Sequence, residues 1–248
     1  MVNAKIDRSV RSADLERRLR IERAVCQRFR EHAPTHLSAV ERRYLETRWL
    51  ELVVMEHYGA PTRLLDWSKS PWVAAFFAVF GSWDSDGYIY IYQRDVFENR
   101  IEKTIRSELG LRFVFGPHRS DWDFSDKDWD LAGANDVLFR PKEVELLSPW
   151  VATYYCRDAH FPRLVAQQGF FTFGSRPGLD HWEQIYDRLD DNECFEIRIR
   201  CDAKAKILRM LNNVGLNGAT LFPGLDGIGR SLEGFVRAWP LSPTPSQF

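Results

Sequence analysis

The sequence predicts an α+β protein: N-terminal helices, then a central mixed sheet that holds a buried helix, all in one domain. Three observations predict it. Residues 1–58 carry apolar side chains at helical spacing between charged ones. A nearly all-apolar run, WVAAFFAVF, follows a Ser-Pro pair at 70–71. Short aromatic and β-branched runs such as GYIYIY, FFTF and CFEIRI are spread through the rest. There is no internal repeat and no linker-like stretch, so one domain is expected.

Leu15, Leu19, Cys26 and Phe29 fall at helical spacing beside Val25, which predicts a helix over 14–31 that ends near Pro34. A second helix is predicted over 38–58, with Ser38 as N-cap and Glu41 at the capping-box position. Gly59-Ala60-Pro61 stops it, and 62–68 reads as a short buried strand. Ser70 caps the next helix, Pro71 occupies its first position and Gly81 closes it. Because that helix is apolar nearly all round, it should be central. Strands are predicted at 87–95, 144–147, 151–155, 170–173 and 194–199, and helices at 161–169, 203–213 and 225–239. Residues 116–136 read as an acidic, Trp-bearing loop with six Asp, and PLSPTPSQF as a frayed tail.

The 248 residues are 44% hydrophobic and 28% charged, which is ordinary for a globular chain and argues against disorder. The net charge of -1 gives no general attraction to nucleic acid or to an anionic membrane. No apolar run approaches the roughly 18 residues that a membrane span needs, and the charged N-terminus lacks a signal-peptide core. The four cysteines are scattered and form no CxxC, so a reducing cytoplasm is the expected location. Residues 1–50 hold 12 Lys/Arg against 7 Asp/Glu. A solvated helix face explains that surplus, and a phosphate or nucleic-acid contact is the sharper alternative.

The densest chemistry lies in HYGAPTRLLDWSKSP, residues 57–71. A strand that ends in hydroxyls and leads into a helix N-terminus suits an anionic ligand, because the first amides of a helix are donors and its dipole favours negative charge. Ser68 and Ser70 add hydroxyls, Arg63 and Arg163 can each offer a bidentate fork, and Trp67 and Tyr58 can stack a flat ring. The plainer alternative pairs Arg63 with Asp66 and leaves Ser70 only a cap. GLDGIG at 224–229 lacks the order of a dinucleotide fingerprint and reads as a turn with Asp226 capping the last helix. Asp121, Asp123, Asp126, Asp128 and Asp130 lack EF-hand spacing, and Pro34 separates His32 from His36, so no metal is expected. His160 and His181 are candidate bases, more plainly polar surface residues. No GxSxG, HExxH or Walker A motif is present.

HYGAPTRLLDWSKSPWVAAFFA closely resembles the central signature of the FRG domain, a bacterial domain found in otherwise unrelated proteins. FPRLVAQQGFFTF (161–173) resembles its Arg…Gln-Gln-Gly-x-Phe motif, and VGLNGATLFPGLDGIGRSL (214–232) its Leu-Phe-Pro-x-Leu-Asp-Gly motif. With the spacers, the resemblance covers about residues 15–235 of a single domain. The family's Phe/Tyr-Arg-Gly string is absent, and the nearest, Arg28-Phe29-Arg30, lacks the Gly. The motif order is also similar to that of Arg-Ser-Glu ADP-ribosyltransferases. That similarity implies NAD as cofactor, a toxin or antiphage role, and an unnamed acceptor macromolecule. It implies Ser68, Ser70 and Gln167 in the reacting pocket, with His57, Tyr58, Arg63, Asp66, Trp67, Arg163 and Gln168 around a nucleotide-type small molecule. Gln167 stands where that family's late Glu would be sought, and a Gln cannot stabilise an oxocarbenium ion as a carboxylate does. Two other classes stay open: a non-catalytic nucleotide- or phosphate-binding module, and an interaction domain that docks through the Arg-rich N-terminal helices.

Overall fold

The computed structural model describes residues 2, 4–9, 14–46, 48–109, 148–154 and 161–239. The acidic loop at 116–136, the strand at 144–147, Tyr155, Cys156, His160 and the tail from residue 240 lie outside them. In chain order the described helices are α1 (Lys5–Ser9), α2 (Leu15–His32), α3 (Ala39–Arg43), α4 (Arg48–His57), α5 (Pro71–Phe80) and α6 (Arg94–Leu109). They continue with α7 (Pro162–Ala166), α8 (His181–Tyr186), α9 (Lys204–Asn213), α10 (Gly218–Leu221) and α11 (Leu225–Ala238). The strands are β1 (Leu64–Ser68), β2 (Gly87–Tyr92), β3 (Val151–Tyr154), β4 (Gly169–Gly174) and β5 (Cys194–Ile199). The protein is thus a mixed helix-and-sheet fold. None of the described helices is long and apolar enough to cross a membrane.

The chain divides into two compact units. Unit 1 takes the described residues of Met1–Asp66, Tyr92–Arg157 and Phe170–Cys194; unit 2 takes those of Trp67–Ile91, Asp158–Gly169 and Phe195–Phe248.

In unit 1 the central helix is α4. Trp49, Leu52, Val53, Val54 and Met55 are all buried, so it is wrapped on nearly every side. Burying each such side chain stabilises by about 1.5–3 kcal/mol. Trp49 meets Phe173 of β4 with ring centroids 4.4 Å apart, and Trp150 meets the same ring at 5.8 Å. Strand β4 lies between β1 and β3. It pairs antiparallel with β3, Val151 opposite Gly174 and Thr153 opposite Thr172. The expected helix over 38–58 is two helices. The Ser38–Glu41 capping box starts α3 as the spacing predicts. The chain then tightens into a 3-10 turn at Tyr44–Glu46, which tucks the Tyr44 ring inside, and α4 begins afresh at Arg48.

In unit 2 the core gathers Val73, Phe76 and Val79 of α5, Ile89 and Ile199 of the two-stranded sheet β2–β5, Leu208 and Leu211 of α9, and Leu221 and Phe222. Helix α5 spans the predicted residues, with Ser70 as N-cap and Pro71 in the first turn. It is not surrounded, however: Trp72 is 64% and Phe77 43% exposed, because only the face carrying Val73, Phe76 and Val79 meets the core. Helix α10 packs closely on α11. A Cβ on Gly227 would sit 1.7 Å from the Phe222 carbonyl oxygen, and one on Gly218 2.4 Å from the Ser231 nitrogen, so only glycine fits at either. The N-cap of α11 is Gly224 at φ +112°, not Asp226, which lies inside the first turn and pairs with Arg230.

Candidate functional site

Unit 2 ties together the three stretches that carry the FRG resemblance. The hydroxyl of Ser68, at the end of β1, donates to the Gln167 carbonyl oxygen at 2.8 Å and accepts from the Ser70 amide at 3.0 Å. The Lys69 amide donates to the Gln168 carbonyl at 3.0 Å. The Gln167 side-chain amide donates to the Leu221 carbonyl at 3.0 Å. Gln168 is the one described non-glycine residue with positive φ, at +49°. That conformation costs an L-residue roughly 1–2 kcal/mol. It turns the chain from α7 into β4, and the bonds from Lys69 and Gln167 hold it there.

These bonds assign Ser68, Ser70 and Gln167 architectural partners. Ser70 Oγ accepts from the Val73 amide at 3.4 Å and Pro71 carries no N–H, so the first turn of α5 is capped from within. Trp67 is half-buried on β1.

Cationic chemistry concentrates next to this knot. The guanidinium carbon of Arg163, in α7, lies 4.7 Å from the Phe222 ring centroid, and that of Arg230, in α11, lies 4.4 Å from the same centroid. Phe222 is buried and both arginines are partly exposed. The faces of an aromatic ring are its negative poles, which is why each guanidinium settles against it. Arg230 Nε also donates to Asp226 at 3.1 Å. Arg163 was singled out from sequence. Phe222 and Arg230 were not, although both lie in the third resembling stretch; the signal was there in Leu-Phe-Pro and Gly-Arg-Ser.

The remaining candidates belong to unit 1. Arg63 is 1% exposed. Its Nε donates to Glu22 Oε1 at 2.6 Å, its Nη2 to Glu22 Oε2, and its Nη1 reaches the Gly174 and Ser175 carbonyls at 3.5 and 3.4 Å. Its guanidinium therefore faces the interior, and its partner is Glu22 rather than Asp66, which is exposed. Tyr58 stands edge-on to His57, ring centroids 5.0 Å apart. It donates to Glu41, and that bond, with some burial, pushes the Tyr58 hydroxyl up to about 12. Tyr58 also lines an apolar pocket of about 290 Å³ with Phe29, His32, Ala33, His36 and Leu37. Glu56, beside His57, is pushed up to about 7, first by burial and then by the charge of Asp66. His181 is a buried residue rather than a surface base: its Nδ1 lies 2.7 Å from Thr172 Oγ1, and burial pushes it down to about 4. Among the described residues no three His, Cys, Asp or Glu side chains gather as a metal site would require.

The FRG domain family model matches residues 2–86, about a third of the chain. An FRG domain is therefore identified here, and the match includes HYGAPTRLLDWSKSPWVAAFFA. The stretches at 161–173 and 214–232 fall outside it; what ties them to the first is the hydrogen bonding of Ser68, Lys69 and Gln167. No curated protein and no solved structure matches the chain.

Proposed function

We propose that unit 2 is a binding module for an anionic, ring-bearing small molecule of the nucleotide type, with NAD as the leading candidate. One observation carries this reading: Arg163 and Arg230 converge on a single Phe222 ring. Two guanidinium groups anchored on one ring repel each other, and a phosphate or diphosphate that reaches both relieves the repulsion while accepting bidentate hydrogen bonds. Asp226, on Arg230, is the internal competitor that a ligand displaces.

The geometry favours holding a ligand over ADP-ribosyl transfer or NAD cleavage. Ser68, which a transferase pocket would put to use, spends its hydroxyl on the Gln167 carbonyl and the Ser70 amide, and Gln167 spends its side-chain N–H on the Leu221 carbonyl of the same unit.

The test is calorimetric titration of the full chain with NAD, ADP-ribose and ATP, alongside Arg163→Ala and Arg230→Ala and with a parallel assay for nicotinamide release. Binding that weakens as salt rises, and that either substitution reduces about tenfold or more, is the expected result. No heat from any of the three ligands at millimolar concentration defeats the proposal. Nicotinamide release by the wild-type chain, lost in both variants, turns the module into an enzyme.

A further inference from the structure

The apolar pocket beside Tyr58 in unit 1 is a ligand site of its own: we infer that it takes a small, uncharged, bicyclic heteroaromatic compound of the size of indole or quinoline. Size and lining carry the inference. The pocket holds about 290 Å³. A dry apolar cavity of about 150 Å³ takes one benzene, so roughly twice that space suits two fused rings. Four of its lining side chains are themselves rings, Phe29, His32, His36 and Tyr58, and Ala33 and Leu37 complete the wall. A flat ring packs on such a wall through offset-stacked or edge-on contacts. Among the described residues that line it there is no Lys, Arg, Asp or Glu, so a charged ligand would leave water without compensation.

The walls are fixed by the protein itself. The His36 and Leu37 amides both donate to the Ala33 carbonyl, at 2.9 and 3.1 Å, and the Thr35 hydroxyl donates to the His32 carbonyl at 3.1 Å. The turn that carries three of the lining residues is therefore held from within. The Tyr58 hydroxyl donates to Glu41 Oε1 at 2.5 Å, while Glu41 Oε2 accepts from the Ser38 amide at 2.8 Å. The capping box of α3 thus also holds Tyr58 in place, and His57 supports the same ring edge-on. With its hydroxyl engaged by Glu41, what Tyr58 offers a ligand is its ring. Walls set in advance lower the ordering cost of binding. His32 and His36 are both exposed. A neutral imidazole carries one donor and one acceptor, which can meet a ring nitrogen of the ligand and favour a heterocycle over a hydrocarbon.

None of these residues belongs to the arginine pair on Phe222, so this site is tested separately from the nucleotide reading. The test is calorimetric titration of the full chain with indole, quinoline and benzene, with thermal melts alongside. Indole and quinoline should bind with a millimolar or tighter Kd and raise the melting temperature, and benzene should bind several-fold more weakly. Tyr58→Ala removes a ring wall at an exposed position and should weaken indole about tenfold or more with circular dichroism unchanged. Tyr58→Phe keeps the ring and should bind indole clearly more tightly than Tyr58→Ala. His36→Ala, at a second exposed position, should also weaken indole. Neither heat nor a rise in melting temperature with either heterocycle at millimolar concentration overturns the proposal. So does benzene binding as tightly as indole, or indole binding to Tyr58→Ala and His36→Ala as it does to wild type.

Discussion

Arg63 shows how far a side chain's role can lie from its local sequence. The nearest acid is Asp66, three residues on, yet the chain closes a fully buried pair with Glu22, 41 residues earlier. Both partners have left water, so the pair holds only while each satisfies the other. Arg63→Ala leaves Glu22 charged and uncompensated inside unit 1, and is expected to cost about 3–5 kcal/mol in urea unfolding. The double replacement Arg63→Met with Glu22→Leu should cost clearly less, because it removes the stranded charge together with the pair. A single variant within about 1 kcal/mol of wild type would contradict the burial of this pair. Arg163 differs in kind: it was legible as a cation, but the ring it sits on, Phe222, is 59 positions further along the sequence and could not be paired with it in advance.

Among the elements, α5 was legible to the residue. Ser70 and Pro71 mark its start and Gly81 its end by local rules alone, and the hydrogen bonds of the helix confirm both bounds. Which of its rings would be buried was not legible, because an all-apolar run has no periodicity to point a face. Phe76 is buried at 1% exposure, stacked on Phe80 at 5.0 Å, while Phe77 lies outward against Phe222. Phe76→Ala is therefore expected to cost about 3–5 kcal/mol, and Phe77→Ala roughly 1 kcal/mol, as for a partly exposed site. Equal losses in chemical denaturation would count against this orientation. The break between α3 and α4 was illegible for a related reason: its cause is the tertiary demand to bury Tyr44, and no Gly or Pro announces it. The capping box before α3 needs only four consecutive residues, and it was legible.

At the scale of the whole molecule, stability should respond to pH through three groups of unit 1, the buried His181 and Asp7 and the half-buried Glu56. His181 is held at about 4, below its ordinary 6.5, so its neutral form supports the fold above pH 6.5 and that support is lost as pH falls toward 4. Glu56 and Asp7 work the other way. Burial lifts Glu56 to about 7 and Asp7 to about 6, so their support is complete below their ordinary values of 4.5 and 3.8 and is lost as pH rises through 7 and 6. With two falling trends against one rising one of similar size, the wild type should lose stability between pH 4 and 7. Glu56→Gln removes one falling trend, so this variant should gain stability relative to wild type as pH rises from 4.5 to 7, by up to about 3 kcal/mol. Thermal melts across that range check the sign. The division of the chain bears on its biosynthesis. Each unit is stitched from three separated stretches, and unit 1 is not complete until residue 194 has been made. A nascent chain emerging from the ribosome therefore cannot finish one unit before starting the other. The stretch 2–86, which the FRG model matches, contains pieces of both and the whole of neither. Expressed alone, that stretch should be an unfolded, protease-sensitive fragment, because it completes the core of neither unit.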